Sequence, residues 1–424
     1  MSARENLRKG WCPSALRPME TGDGILLRLR PRAGAFTISQ LRAIAEVAAK
    51  HGSGNIDLTN RANLQLRGLS ETTYDGAIDA LDCAGLISAS PDIESVRNIV
   101  ADPLAGLDAS RADIRAIARE LEHALALRPE LYALPGKFGF EISGTCGPVP
   151  GHTSADILIT AEQDDRFCVR LDGELQTVAI VSRTDVVSTA VRAAATFVAV
   201  ASENPLLRRM RDAVQQFGSR ELFRMTGLTA ELVPLTPSLS NTLPIGVLGP
   251  SHSPFAVGVG LPFGRIDAGQ LQGLCVAAAA SNSADIRPTK QRALIVPVSG
   301  AAAHVMLDTA KALGLITDGT DPRLNADVCP GAPACRNATT ETRNDAVTLI
   351  EALSQRGVPF ASIHVSGCEK GCARASSAEF TFVARNGAYD FVRGGRAGDA
   401  PQTSSFAPLD MAAAVFAGGA GCAP

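Results

Sequence analysis

QLRAIAEVAAKHGSGNIDLTNRANLQL, residues 40–66, returns 230 positions later, without a gap, as QLQGLCVAAAASNSADIRPTKQRALIV, residues 270–296. About eight of the 27 positions are identical, including Gln40/Gln270, Leu41/Leu271, Ile56/Ile286, Thr59/Thr289 and Leu64/Leu294. Both copies read alike. A strand-like stretch (25–30 and 255–260) precedes a segment of helical period (39–50 and 268–281), and a threonine-bearing turn leads into another strand. The chain is a duplication, and that outranks local propensity.

A fainter repeat lies downstream in each half. ADILITA (155–161) shares its alternation with AEFTFVA (378–384), and each is followed by a short strand, near 166–171 and 389–393. Just upstream, ISGTC (142–146) faces VSGC (365–368). The predicted organisation is therefore A–B–A′–B′: residues 10–80, 90–203, 242–315 and 316–400. A connector spans 204–241, with a helical front and Pro234 and Pro237 at its end. An Ala/Gly-rich tail spans 401–424. Strand–helix–strand units of this kind belong to α/β or α+β layers.

The 424 residues carry 40 Lys+Arg against 43 Asp+Glu, a net charge of −3. This length allows about two or three domains. The near-balance argues against non-specific nucleic-acid binding, and 46% apolar content argues against long disorder. The Ala-rich stretch 189–202 carries Arg192, which argues against a membrane span. MSARENLRKG has no apolar core of a signal peptide, so a cytoplasmic location is expected. Ten cysteines in a reducing compartment point to metal or redox chemistry rather than a disulfide framework.

Six of the ten are scattered: Cys12, Cys83, Cys146, Cys168, Cys275 and Cys422. The other four form two pairs, Cys329/Cys335 in CPGAPAC and Cys368/Cys372 in GCEKGC. Two pairs satisfy the thiolate count of a [4Fe–4S] cluster. Structural zinc prefers two to four residues between paired cysteines, so the five-residue spacer of the first pair is loose for it. Pro330, Gly331 and Pro333 make that spacer a wide, stiff loop suited to a larger core. Spacing alone favours the cluster and leaves zinc and unliganded thiols as alternatives.

VCPGAPACRNATTETR (328–343), SGCEKGCARA (366–375) and VRGG (392–395) together resemble the signature of the sirohaem sulfite and nitrite reductase superfamily. LTNRANLQLRG (58–68), VRNIVADPLAG (96–106) and LPGKFGFEIS (134–143) resemble three further family blocks, so the likeness covers nearly the whole chain. Within the superfamily, GWCPSALRPMETGDGILLRLRP (10–31), the compact length and the lack of flavin or ferredoxin modules resemble the precorrin-3B synthases of aerobic cobalamin biosynthesis.

The resemblance implies a duplicated nitrite/sulfite reductase-like fold of the α/β (α+β) type. Each of two pseudo-symmetric halves would hold a ferredoxin-like half-domain and a mixed α/β domain, with a tetrapyrrole at the centre. It implies a [4Fe–4S] cluster on Cys329, Cys335, Cys368 and Cys372, and an additional non-haem iron whose ligands it does not name. The implied substrates are precorrin-3A and dioxygen, and the implied reaction is C20 hydroxylation with γ-lactone closure from the ring-A acetate. No strand-linked G-x-G-x-x-G is present, so NADH would act through a separate reductase or ferredoxin. Two alternatives stand beside this reading: a sirohaem-dependent sulfite or nitrite reductase, and a non-catalytic tetrapyrrole-binding or electron-transfer protein.

Three site residues come from the matching blocks: Arg61, Arg97 and Lys137. Precorrin-type macrocycles carry eight carboxylates, which arginine clamps bidentately while staying charged. Lys137 matches the first of two active-site lysines of the reductases; the second falls on Gly139. Fewer cations on a small anion weaken the case for sulfite reduction. In the second half, Gln291 is the partner of Arg61. Arg287, Lys290, Arg292 and Arg374 are further carboxylate-clamp candidates. The six histidines show no metal-ligand spacing, and His364, nearest the cluster motif, reads as a sheet histidine.

Overall fold

A computed structural model describes residues 12–107, 110–145, 155–234 and 243–417. Cys146, His152, Pro237 and Cys422 lie outside the described residues, as do Gly10 and Trp11.

The long repeat is two copies of one local structure. Helix Ile38–His51 starts on a capping box between Thr37 and Gln40, and helix Ala268–Ala280 on one between Asp267 and Gln270. The repeated glutamine is thus the third helical residue, whose side chain returns to the cap backbone. The threonine turns also coincide. Thr59 Oγ1 accepts from the Asn63 amide (3.2 Å), and Thr289 Oγ1 from the Ala293 amide (3.1 Å). Ala62 and Arg292, 230 positions apart, both take left-handed backbone (φ 56° and 61°).

The two half-domains exchange strands. One antiparallel sheet runs Met19–Thr21, Gly24–Leu29, Leu64–Leu69, Asn55–Leu58 and then Arg265–Asp267 from the other half. Its counterpart runs Gly246–Leu248, Ala256–Gly260, Ala293–Pro297, Asp285–Pro288 and then Phe36–Thr37 from the first half. Ile266 pairs with Ile56, and Phe36 with Ile286. One core results, with Leu27, Leu41 and Ile56 packed in the same cluster as Val259, Leu271 and Ile286.

The faint repeat is also real in the structure. The first α/β sheet runs Ile99–Ala101, Phe140–Ser143, Ile157–Ala161, Arg166–Leu171, Glu174–Ser182 and Glu231–Leu232. The second runs Ala326–Val328, Ile363–Ser366, Ala378–Arg385, Ala388–Gly395 and Thr403–Phe406. In both, the first three strands are parallel and the next pairings antiparallel. Ile142 pairs with Ile159, and Val365 with Phe382, so 155–161 and 378–384 hold equivalent places.

The front of the 204–241 stretch folds as helices Met210–Phe217 and Ser219–Met225. Their Met210, Ala213, Leu222 and Phe223 join the core of the first α/β sheet. At the C-terminal end, Met411, Ala414 and Val415 join the core of the second. Among the described residues one helix, Val186–Glu203, is long and apolar enough by composition to cross a membrane. It buries Val186, Ala190, Ala194 and Phe197 in the first α/β core, as an ordinary core helix does.

Candidate functional site

Both cysteine pairs sit at the C-terminal ends of adjacent parallel strands. Cys329 follows Ala326–Val328, Cys368 follows Ile363–Ser366, and Val328 pairs with Val365. The Gly367 amide donates to Cys329 Sγ at 3.1 Å, and Thr342 Oγ1 donates to the Cys329 carbonyl at 2.7 Å. A side chain at Gly367 would meet Ala338 Cβ at 2.6 Å and Cys329 Sγ at 3.4 Å, so only glycine fits there. Burial pushes the Cys368 and Cys372 thiols up. Lys370 opposes this, and the facing thiols, Cys329 and Cys335 among them, push both further up.

Among the described residues no three or more His, Cys, Asp or Glu gather closely enough for a single metal ion. The four thiols nonetheless feel one another's charge. As a donor set, four cysteines match the thiolate count of an iron–sulfur cluster, and the five-residue spacer between Cys329 and Cys335 is longer than structural zinc favours.

The first half-domain grips this loop. Leu27, Leu29, Ile56, Leu64 and Leu66 face the core, so strand alternation turns Arg28, Asp57, Gln65 and Arg67 to the opposite face. Arg67 donates to the Ala334 carbonyl between the first two cysteines (2.7 Å) and pairs with Asp23 (2.9 and 3.0 Å). Asp57 accepts from Arg265 (2.8 Å) and Arg343 (2.9 Å). Burial alone would raise Asp57, but Arg343, Arg265 and Arg67 together hold it below the usual carboxylate range.

Next to this ion network lies a nest of cations. Arg28, Arg30 and Arg61 all lie within electrostatic reach of Cys12, whose backbone touches the position a Gly136 side chain would fill (3.6 Å). Burial lowers Arg61, and Arg209 and Arg28 lower it further, against Cys12 and Asp156. Burial brings Arg30 down to about 10, with Glu94 3.6 Å away opposing. Burial also lowers Arg97, which donates to Ser88 Oγ (2.8 Å) and has Glu122 at 3.8 Å.

Arg30 and Arg97 are 5% and 4% exposed. Nε and Nη1 of Arg30, and Nε and Nη2 of Arg97, have no hydrogen-bond partner among the described residues. Buried guanidinium atoms are almost always satisfied; here Arg30 Nη1 and Arg97 Nη2 have only Glu94 and Glu122 near them, at 3.6 and 3.8 Å, beyond hydrogen-bond distance.

Lys137 is exposed on the loop into strand Phe140–Ser143. Two residues on, Gly139 has no room for a side chain: a Cβ there would meet Asn98 O at 2.8 Å and Asn98 Nδ2 at 2.9 Å. The four second-half candidates are held by protein partners. Arg287 binds Asp285 (2.9 Å) and the carbonyls of Pro103 (3.0 Å) and Ala105 (2.9 Å). Lys290 pairs with Glu141. Arg292 and Arg374 share Asp327, at 3.0 and 2.9 Å. Each of the four therefore already commits part of its donor capacity to the protein.

Arg28, Arg30 and Arg209 were missed in the sequence reading. The signal for the first two was present: in ILLRLR the leucines and arginines alternate, so a strand burying the former directs the latter to the other face.

Residues 17–82 match the nitrite/sulfite reductase ferredoxin-like half domain family. The chain is 30% identical over 407 residues to a precorrin-3B synthase from Sinorhizobium sp., spanning 93% of this chain and 85% of that protein. The chain belongs to the precorrin-3B synthase family. It is also 26% identical over 412 residues to a ferredoxin–nitrite reductase from Synechococcus elongatus, spanning 88% of this chain and 78% of that protein. The solved structure of the Mycobacterium tuberculosis NirA protein superposes with a TM-score of 0.74 at 21% identity, over 92% of this chain and 79% of that one. This likeness bears out the duplicated nitrite/sulfite reductase-like fold.

Within this member of the precorrin-3B synthase family, the remaining histidines and cysteines assemble no further site among the described residues. His364 is fully buried on strand Ile363–Ser366, with neither ring nitrogen hydrogen-bonded there. Cys168 and Cys275 are buried, and burial pushes their thiols up to about 12, which suits packing rather than reaction.

Proposed function

We propose that the protein catalyses oxygen-dependent hydroxylation of precorrin-3A at C20, with closure of a γ-lactone from the ring-A acetate. One oxygen atom of dioxygen enters the macrocycle. The other leaves as water, using two protons and two electrons from NADH delivered through a separate reductase or ferredoxin. The observation that carries this reading is the buried cation nest whose Arg30 and Arg97 retain unsatisfied donors. A macrocycle with eight carboxylates supplies matching acceptors, and arginine binds each with directional paired hydrogen bonds. The kinship with the Sinorhizobium precorrin-3B synthase supports the choice of macrocycle.

Cys329, Cys335, Cys368 and Cys372 would hold a [4Fe–4S] cluster, whose chemistry when bound is one-electron transfer. Arg61 and Arg97 would orient the substrate through its carboxylates. Lys137 would neutralise a carboxylate at the exposed rim. Asn98, packed against Gly139, closes the space a second lysine would need, which disfavours reduction of a small oxyanion at this place.

The test is a paired assay on anaerobically purified, cluster-loaded protein. Precorrin-3A should be consumed only when reductant and dioxygen are both present, and Arg61→Gln should lower kcat/KM by roughly tenfold or more. Sulfite- or nitrite-dependent oxidation of a reduced viologen, with a sirohaem Soret band, would instead assign the protein to the reductases.

A further inference from the structure

Arg67, Arg265 and Arg343 come from three separate parts of the chain and meet against the CPGAPAC loop. Arg67 lies on strand Leu64–Leu69, Arg265 on the exchanged strand Arg265–Asp267, and Arg343 in the first turn of helix Thr342–Gln355. Asp57 collects them. Its Oδ1 accepts from Arg265 Nε (2.8 Å) and Arg343 Nη2 (2.9 Å), its Oδ2 from Arg265 Nη2 (3.2 Å), and Arg67 Nε stands 3.8 Å away. Asp23 binds Arg67 through both of its oxygens. Among the described residues the three arginines pair with no other acid, so three guanidinium groups meet two carboxylates. One positive charge is in surplus, and Nε and Nη1 of Arg343 are buried without a hydrogen-bond partner.

The contact with the cysteine loop is direct. Arg67 Nη2 donates to the Ala334 carbonyl, next to Cys335, at 2.7 Å, and the Gly22 amide donates to the same oxygen at 3.2 Å. A side chain at Gly22 would collide with the Pro333 carbonyl, so the turn of the first hairpin lies flush on the loop. Thr342, the neighbour of Arg343, donates to the Cys329 carbonyl at 2.7 Å, and its Oγ1 lies 3.9 Å from Cys329 Sγ. The Arg67 and Asp57 side chains are 3% and 8% exposed, so water screens this charge little.

An iron–sulfur cluster on four thiolates is an anion that becomes more negative when it gains an electron, and its reduction potential follows the local charge. A fixed surplus cation beside it favours the reduced form. We propose that Arg67, Arg265 and Arg343, gathered on Asp57 and Asp23, form a cationic cradle that raises the reduction potential of the cluster on Cys329, Cys335, Cys368 and Cys372, with Arg67 as the residue that positions the loop. This assignment rests on the cluster reading above.

The test is a potentiometric titration with dithionite of full-length protein, reconstituted anaerobically with iron and sulfide and followed by the electron paramagnetic resonance signal of the reduced cluster. Arg343→Gln should make reduction less favourable by about threefold or more, a shift of roughly 30 mV or more to lower potential for one electron. Asp57→Asn, which removes a negative charge from the same place, should shift the potential upward. Arg343→Lys keeps the charge and should restore the parent value, which a purely structural role for Arg343 would not do. Arg224→Gln is the control: Arg224 is exposed, pairs with Glu221 on helix Ser219–Met225 of the first α/β domain, and its loss should leave the potential unchanged.

A potential for Arg343→Gln equal to that of the control, or shifts of the same sign in Arg343→Gln and Asp57→Asn, would overturn the proposal. A cluster in the unaltered protein that dithionite does not reduce would overturn it too. Should Arg343→Gln lose its iron, Asp23→Asn, at the edge of the cradle, carries the test: its potential should rise, and an unchanged value overturns the proposal. If the unaltered protein takes up no four-iron cluster at all, the cluster reading itself fails, and that result is distinct from the others.

Discussion

Cys329 and Asp102 occupy the same place in the two halves. The Cys329 amide donates to Val365 O (3.2 Å) and the Asp102 amide to Ile142 O (2.8 Å). The Gly367 amide then donates to the Cys329 sulfur (3.1 Å), and the Gly144 amide to the Asp102 carboxylate (3.3 Å). In the first half Arg111 closes the position by pairing with Asp102 at 2.7 Å; in the second half Cys368 and Cys372 lie within electrostatic reach of Cys329. Replacing Cys368 or Cys372 by serine should therefore abolish bound iron and acid-labile sulfide together. Full retention of both would contradict the cluster assignment. His364 offers a second check at this scale. Burial takes it down to about 4; Asp327 opposes, and Arg374 and Arg292 reinforce. Because the unfolded chain takes up this proton near pH 6.5 and the folded one only near 4, stability is intact above pH 6.5 and falls as pH drops toward 4, by about 3 kcal/mol in all. Urea midpoints at pH 7 and pH 4.5 should differ less in His364→Leu than in the parent; an identical difference would show that His364 does not titrate this way.

At the scale of elements, the repeat was legible because its signals are local. A helix cap, a threonine turn and a two-residue alternation are each specified within a few positions, so Gln40/Gln270 and Thr59/Thr289 point to their structures directly. The cysteine loops were legible for the same reason. The strand exchange was not. Whether Arg265–Asp267 pairs within its own half or with Asn55–Leu58 depends on how the halves dock, and no local pattern encodes that. Arg209 carried no local signal either, since its partner Asp156 is 53 residues away, and the carbonyls held by Arg287 and the carboxylate paired with Lys290 lie in the other half. The exchange has a measurable consequence. Ile266 is fully buried on the exchanged strand, so Ile266→Ala should cost about 2–5 kcal/mol. Because the core is shared, the loss should appear as one shifted unfolding transition of the half-domain pair. Two transitions, only one of them shifted, would mean that the half-domains fold independently.

Over the whole molecule, a net charge of −3 conceals a strongly polarised interior. Asp57 gathers three arginines against the cysteine loop, while Arg28, Arg30, Arg61, Arg97 and Arg209 form a second group faced by Glu94, Glu122 and Asp156. Each half-domain sheet grips the α/β domain of the opposite half: Arg67 holds Ala334, and Arg287 holds Pro103 and Ala105. The cysteine loop and the cation nest are thereby fixed to one shared frame, which on the proposed function would hold a single macrocycle against both. The most direct test is isotopic. Cluster-loaded protein is incubated with precorrin-3A, reductant and ¹⁸O₂, and the macrocycle is analysed by mass spectrometry. The expected product carries one ¹⁸O atom and forms only when dioxygen is present. A macrocycle recovered unchanged, or oxygenated with oxygen drawn from water, would contradict the oxygen-dependent hydroxylation.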